Sequence, residues 1–272
     1  MSDTLSFRIL GCGSSGGVPR LSDTPGGAWG ACDPTNPKNR RRRCALLVTR
    51  TSAAGQTRVL IDTSPDMRAQ LLDAQVGSLD AVVYTHAHAD HLHGIDDLRM
   101  VVFNMRQRLQ VYADQPTTAA LTDRFSYAFV QPEGSSYPPI CELNLIDGPF
   151  EINGAGGPIP FTAVIPVAHG AMPTVGFRIA NTAYVPDVAD IPESSWPHLE
   201  NLDLWIIDAL RRDPHPTHAH LAKTLGWIEQ IKPRQTVLTN MHNDLDYATL
   251  NAETPDHIQP AYDGLTLTLP IT

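Results

Sequence analysis

The chain has 272 residues, a formal net charge of −9, and 42% hydrophobic against 18% charged residues. That length and apolar share support one sizeable core, read as a single domain over residues 1–272, while the acidic balance argues against a surface built to grip polymeric nucleic acid. Four cysteines with no CxxC pair exclude a disulfide scaffold or a cysteine-only zinc site, and the absence of a leader pattern or long apolar run points to a soluble cytoplasmic protein that makes no use of a membrane.

In chain order, residues 5–10 read as a first strand, ending in the glycine-rich loop GCGSSGGVP. Residues 44–49 and 58–61 read as the next strands, the latter ending at Asp62. The stretch 64–74 has a helical apolar stripe in Met67, Leu71 and Leu72, and 81–84 is a fourth strand. A helix over 95–103 and a short strand over 110–112 follow. Residues 131–140, rich in proline and glycine, form a loop. The second half offers strands at 161–167, 174–179 and 204–208, a helix over 220–231 and a strand over 236–238. No repeat or linker divides the chain. Strands outnumber helices roughly two to one, which suits two sheets sandwiched between helices.

The chemistry concentrates in THAHADH, Thr85 to His91. Alternate side chains of a strand point the same way, so His86 and His88 share one direction; as the chain turns into a helix, Asp90 and His91 face that space too. Imidazoles and a carboxylate at this density suit divalent first-row metals, and the positions divide into His86 with His88 and Asp90 with His91. A helix-capping cluster of surface histidines is the bland alternative, and it fits poorly because the cluster follows an apolar strand directly. His93, two residues on, points elsewhere and reads as solvated.

HxHxDH after an apolar strand resembles the motif of the metallo-β-lactamase superfamily. The resemblance implies an α/β fold, an αββα sandwich of two mixed β-sheets flanked by helices. It also implies two divalent ions, zinc or manganese, with Asp90 both ligand and catalytic residue. In that family an upstream aspartate orients the motif, matched by Asp62. A third histidine is matched by His169 in VAHGAMP, a bridging aspartate by Asp187 in YVPDV, and a last histidine by His242 in TNMHNDLDY. The family carries histidine directly after the strand-end threonine, where this chain has Asn240 after Thr239. If the strand stays extended, His242 faces the same side as Asn240, which leaves Asn240 as a weak ligand or a donor behind the ligands.

The glycine-rich opening, the RRRRC run and the DLDY ending resemble the branch of phosphoribosyl cyclic phosphate phosphodiesterases. That branch holds a structural zinc on three cysteines and a histidine; only Cys32 is present here and Asn243 stands at the histidine's place, so no structural zinc is expected. His218 in PTHAHL matches a histidine near the scissile phosphate, a candidate general acid. His215 and His220 compete for that role, and Asp208 would fix an imidazole tautomer. Ser14 and Ser15, with the glycines around them, could contact substrate through a nest of backbone N–H groups. Residues 40–43 alternate faces, so at most two of those arginines could clamp a phosphate, and a solvated edge is the plainer reading. The implied activity is hydrolysis of a small phosphodiester, cyclic ones foremost, or nucleotide by a hydroxide bridging two ions about 3.5–4 Å apart, with a homodimer as the implied assembly. A glyoxalase II-like thioesterase, a tRNA 3′-processing-like nuclease and a non-catalytic metal-binding protein are the alternatives.

Overall fold

The computed structural model describes residues 3–271. Among these are fourteen strands and seven α-helices, close to the ratio read from the sequence. The chain divides into two compact units: one takes residues up to Leu10, Ala45–Pro160 and residues from Thr266 onward, and the other takes Gly11–Cys44 and Phe161–Leu265.

The first unit is laid out by β1 (Thr4–Gly11), β2 (Ala45–Ser52), β3 (Gly55–Ile61), α1 (Met67–Ala74), β4 (Ala81–Val83), α2 (Ala89–Leu92), α3 (Leu98–Met105), β5 (Leu109–Ala113), α4 (Gln115–Arg124), α5 (Ser126–Phe129), β6 (Cys141–Leu145) and β7 (Phe150–Ile152). In the second half of the chain come β8 (Ile159–Val167), β9 (Thr174–Ile179), β10 (Thr182–Val185), β11 (Leu204–Asp208), α6 (Leu221–Ile231), β12 (Gln235–Thr239), α7 (Tyr247–Glu253), β13 (Ile258–Pro260) and β14 (Thr266–Pro270).

One sheet runs β14-β1-β2-β3-β4-β5-β6 and the other β13-β12-β11-β10-β9-β8-β7. Both are mixed. In the first, β2 and β3 form an antiparallel hairpin, and β3, β4, β5 and β6 run parallel. In the second, β8, β9 and β10 are antiparallel, and β10 to β13 are parallel. Burial follows this plan. β8 alternates buried and open positions along IPFTAVIPV, as a half-buried strand should, whereas every residue of the parallel β4 and β11 is buried. Phe7, Leu46, Leu60 and Met67 anchor one core; Phe161, Phe177, Tyr184 and Trp205 anchor the other, with the Phe161 and Phe177 rings edge to face at 5.5 Å.

Two predicted helices are shorter or broken. Residues 64–66 form a turn in which the Ser64 carbonyl accepts from Met67 N–H and its hydroxyl from Asp66 N–H, so α1 begins only at Met67. The helix read over 95–103 is a 3₁₀ turn, Ile95–Asp97, followed by α3. No α-helix among the described residues is long and apolar enough to cross a membrane.

Candidate metal centre

In the first unit, parallel strands β3 and β4 both run out at one edge, and their C-terminal ends carry the cluster. Asp62 follows β3 with a left-handed backbone, φ 65°, and is wholly buried. Its Oδ1 accepts the Thr85 N–H at 2.8 Å; Oδ2 accepts the Thr85 hydroxyl at 2.8 Å and His91 Nδ1–H at 2.7 Å. Burial pushes this carboxyl's pKa up, against the pull of His91 and Thr85. With its proton committed to Asp62, the Thr85 oxygen accepts from His86 Nδ1–H at 2.9 Å. One carboxylate therefore orients two rings: His91 meets Asp62, and His86 meets the Asp62-bound Thr85, each through Nδ1, so that both turn Nε2 the other way.

His88 precedes α2 as its capping residue and places Nδ1 3.0 Å from His86 Nε2. That spacing is close to the ~3.3 Å that two imidazole nitrogens adopt on a tetrahedral zinc. Asp90 lies in the first turn of α2, with Oδ2 3.6 Å from His91 Nε2. The turn is clamped from behind. Thr63 N–H donates to the His91 carbonyl and Gly94 N–H to the Thr63 carbonyl, while Arg124 on α4 donates to the Ala87 carbonyl at 2.7 Å. Gly94 has to be glycine, since a Cβ there would lie 2.1 Å from the Ser64 carbonyl oxygen. His93 is exposed and touches Phe125 edge-on, away from the cluster's hydrogen bonds.

The second unit carries a matching set. His169, just past β8, is 2% exposed and donates Nδ1–H to the Thr217 carbonyl at 2.6 Å, which again leaves Nε2, here 3.5 Å from Asp187 Oδ2. Asp208 closes β11; its Oδ2 accepts Val188 N–H and His218 Nδ1–H, the latter at 2.8 Å. Burial pushes Asp208 upward, and His218 pulls it down. The His218 ring sits 4.5 Å from that of His169 and 5.2 Å from that of His215. His86, His88, His169 and Asp187 all offer ligand atoms of the kind that hold a divalent cation.

Asn240 occupies the strand-end position, and its amide donates to Asp187 Oδ1 at 3.2 Å. The extended strand on which the face-sharing of Asn240 and His242 depended is not present, because β12 ends at Thr239 and Asn240 takes a left-handed φ of 59°. His242 is instead tied by its N–H to the Leu210 carbonyl and electrostatically coupled to Arg20, Arg211, His215 and Asp244. Burial first, then Arg20, lowers its pKa to about 4.

The opening loop is less available than its glycines suggest. Gly13, Ser14 and Gly17 donate their N–H groups to the carbonyls of Arg42, Met241 and Ser14, so a nest of free donors does not form at those three. Ser14 is buried with its hydroxyl unpartnered, and Ser15 is exposed. Among the four arginines, Arg41 is neither a clamp nor solvated. It is 2% exposed and donates to the carbonyls of His242 and Leu245, next to Cys32, holding the loop after β12. Arg40 lies over the Trp29 ring. His220 is the N-terminal capping residue of α6. Arg20 and Arg211, both electrostatic neighbours of His242, were missed in the sequence, where neither stands in a motif.

A family model, the β-lactamase superfamily domain, matches residues 57–241, which contain every one of these histidines and aspartates except His242 and Asp244. The chain belongs to the metallo-β-lactamase superfamily of hydrolases. A solved diphosphatase of the PhnP family is 34% identical, with a TM-score of 0.84 over 98% of this chain and 97% of its own. A protein from Porphyromonas gingivalis named octanoyltransferase is 34% identical over 264 residues; that match covers 94% of this chain and only 50% of the relative. Ribonuclease Z from Deinococcus radiodurans is 38% identical over 64 residues, 24% of this chain and 19% of its own. The chain thus spans about half the length of its octanoyltransferase-named relative.

Proposed function

We propose that this protein is a cytoplasmic, dinuclear phosphodiesterase acting on small phosphodiesters, cyclic ones and nucleotides among them, and that residues 1–272 work as one hydrolase domain. The observation that carries the reading is the anchoring of His86, His91 and His169 through Nδ1 on Thr85, Asp62 and Thr217, which turns Nε2 of each toward another histidine or aspartate of the cluster. His86, His88 and His169 would hold one ion, Asp90 and His91 the other, and Asp187 would serve both. Bound zinc or manganese would supply Lewis acidity and a nucleophile derived from water at neutral pH.

The chain's own residues then divide the remaining work. Asn240 fixes the Asp187 carboxylate by donating to Oδ1, so that Oδ2, 3.5 Å from His169 Nε2, would be the oxygen to hold a cation. His218, backed by the Asp208 carboxylate, holds a proton at Nε2 and delivers it to the leaving oxygen. Arg20, Arg211, His215 and His242 gather phosphoryl oxygens, with the Ser14 hydroxyl as a further donor. This reading moves His242 from a metal to the substrate, on the ground that Arg20 and Arg211 both act on it and outnumber the one carboxylate beside it, Asp244 at 3.7 Å.

The test pairs elemental analysis with hydrolysis of two diesters, one with a p-nitrophenolate leaving group and one with an alkoxide. His86→Ala should lose metal and both activities. His218→Gln should keep its metal, lose about 10²–10⁴-fold on the alkoxide diester and far less on the aryl one, since only the alkoxide needs a proton. Equal losses on both would remove His218 as the acid, and metal-loaded protein inert toward both would sink the phosphodiesterase. A second reading, acyl thioester hydrolysis, is favoured by the octanoyltransferase-named relative, and an octanoyl thioester in the same assay decides between them.

A further inference from the structure

Away from those clusters, the first unit carries a concave pocket of about 420 Å³ between α3 and the 131–140 loop. Its lining combines the apolar Phe103, Tyr137 and Ile140 with the arginines Arg99, Arg106 and Arg108. No carboxylate lines it, in a chain whose acidic residues outnumber its lysines and arginines by 29 to 20. Arg99 faces the exposed Asp96 at 3.4 Å, whereas Arg106 and Arg108 have no ion pair or side-chain hydrogen bond among the described residues. Arg106 ends α3 in a left-handed conformation, φ 55°, and complements the helix dipole there. That role does not account for Arg108. Nor does it account for two aromatic rings left open to water, Phe103 at 62% and Tyr137 at 70% exposure.

We propose that this pocket binds a small amphipathic anion, an aliphatic or aryl carboxylate or phosphate, with its apolar body on Phe103 and Tyr137 and its charge on Arg106 and Arg108. Three features select that class. The volume lies within the roughly 300–1,000 Å³ of small-molecule sites, which are mainly apolar with a few convergent polar groups. Unpaired guanidinium groups match carboxylate and phosphate oxygens in a two-pronged fashion. Covering the two rings removes apolar surface that water otherwise meets, so a purely inorganic anion would use only half of the site. Nothing in this assignment depends on the hydrolase centre, which lies on other residues.

The experiment is calorimetric titration of the protein, residues 1–272, with 2-naphthoate and octanoate, beside neutral 2-naphthylmethanol and cationic 2-naphthylmethylamine. The expected result is one saturable site per chain for the two anions, with the neutral analogue weaker by about tenfold or more for loss of the charge-assisted bonds. Arg108→Gln and Phe103→Ser should each weaken the anions by about tenfold, while Met100→Ser, exposed on α3 but outside the pocket wall, should stay within about twofold. Unchanged circular dichroism keeps a loss of binding from being a loss of fold. No saturable heat, equal binding of the neutral analogue, or indifference to Arg108→Gln each overturns the proposal. A concentration-dependent dimer abolished by Tyr137→Glu overturns it in favour of contact with a second copy.

Discussion

Replacing Asp62 with asparagine keeps the shape of the side chain and inverts one half of its hydrogen bonding. The oxygen that accepts Thr85 N–H can stay, but an amide NH₂ now faces two donors, the Thr85 hydroxyl and His91 Nδ1–H. The cheapest relief is for His91 to move its proton to Nε2, the nitrogen left for a cation. Removing such a partner behind a metal ligand costs about 10–100-fold in metal affinity, or ~1.4–2.8 kcal/mol. Fold stability should fall less than the hydrogen bonds alone suggest. Two bonds to a charged acceptor are worth about 1.5–3 kcal/mol each, but asparagine also removes a buried charge whose desolvation already pushes the Asp62 pKa up. A net loss of about 1–3 kcal/mol is expected. Metal retained after dialysis against a competing chelator measures the affinity, urea unfolding the stability, and ¹⁵N shifts of the His91 ring the tautomer. If Asp62→Asn leaves His91 protonated at Nδ1 and holds metal as the parent does, the carboxylate does not set the cluster.

Asp246 caps α7 through Thr249 N–H and accepts from Asp33 N–H and the Asn39 amide, and although burial opposes them these donors hold its pKa at about 2 against an ordinary 3.8. A depressed carboxyl stabilises the fold above its unfolded pKa and loses that contribution as pH falls from about 3.8 through about 2; after allowance for solvent screening this is about 1 kcal/mol. Asp246→Ala should therefore be destabilised at neutral pH, with the difference from the parent shrinking across that window in urea melts, and a pH-independent difference would contradict it. Gly94→Ala should cost about 1–3 kcal/mol, since the Ser64 carbonyl must retreat from a Cβ at 2.1 Å, and should lower the melting temperature by several degrees. It should weaken metal retention as well, because Thr63 is bonded to both Gly94 and His91; an unaffected melting temperature would show that the turn yields freely.

What could be read from the sequence depended on how local each signal was. β9 and β11 match their expected bounds, because a short apolar run between turn residues carries its own boundaries. THAHADH announced itself through residue types alone. β14 could not be read that way, since its TLTLP is defined by antiparallel pairing with β1 at the other end of the sequence, Thr4 opposite Pro270. Nor could α4, whose QPTTAALTDR has weak intrinsic helicity; the Asp114 carboxylate caps it by accepting Thr117 N–H at 3.0 Å. Arg41 was hidden for a similar reason: a run of four arginines looks solvated until the carbonyls of His242 and Leu245 are seen to receive one of them.

The failure of the extended-strand condition at Asn240 and His242 has a more general cause. Period-two alternation assigns faces only while φ and ψ stay extended, and functional residues tend to sit where they cease to be. Each unit shows this at the end of a parallel strand. Asp62 after β3 and Asn240 after β12 both adopt left-handed backbone, φ 65° and 59°, a region that Asp and Asn tolerate better than most residues. Each then turns its side chain sideways, onto Thr85 and His91 in one case and onto Asp187 in the other. An aspartate or asparagine directly after an apolar strand is thus better read as the point where alternation stops than as its next position. On that rule His242 would never have been placed by counting two from Asn240, and its arginine neighbours would have had to be sought in space.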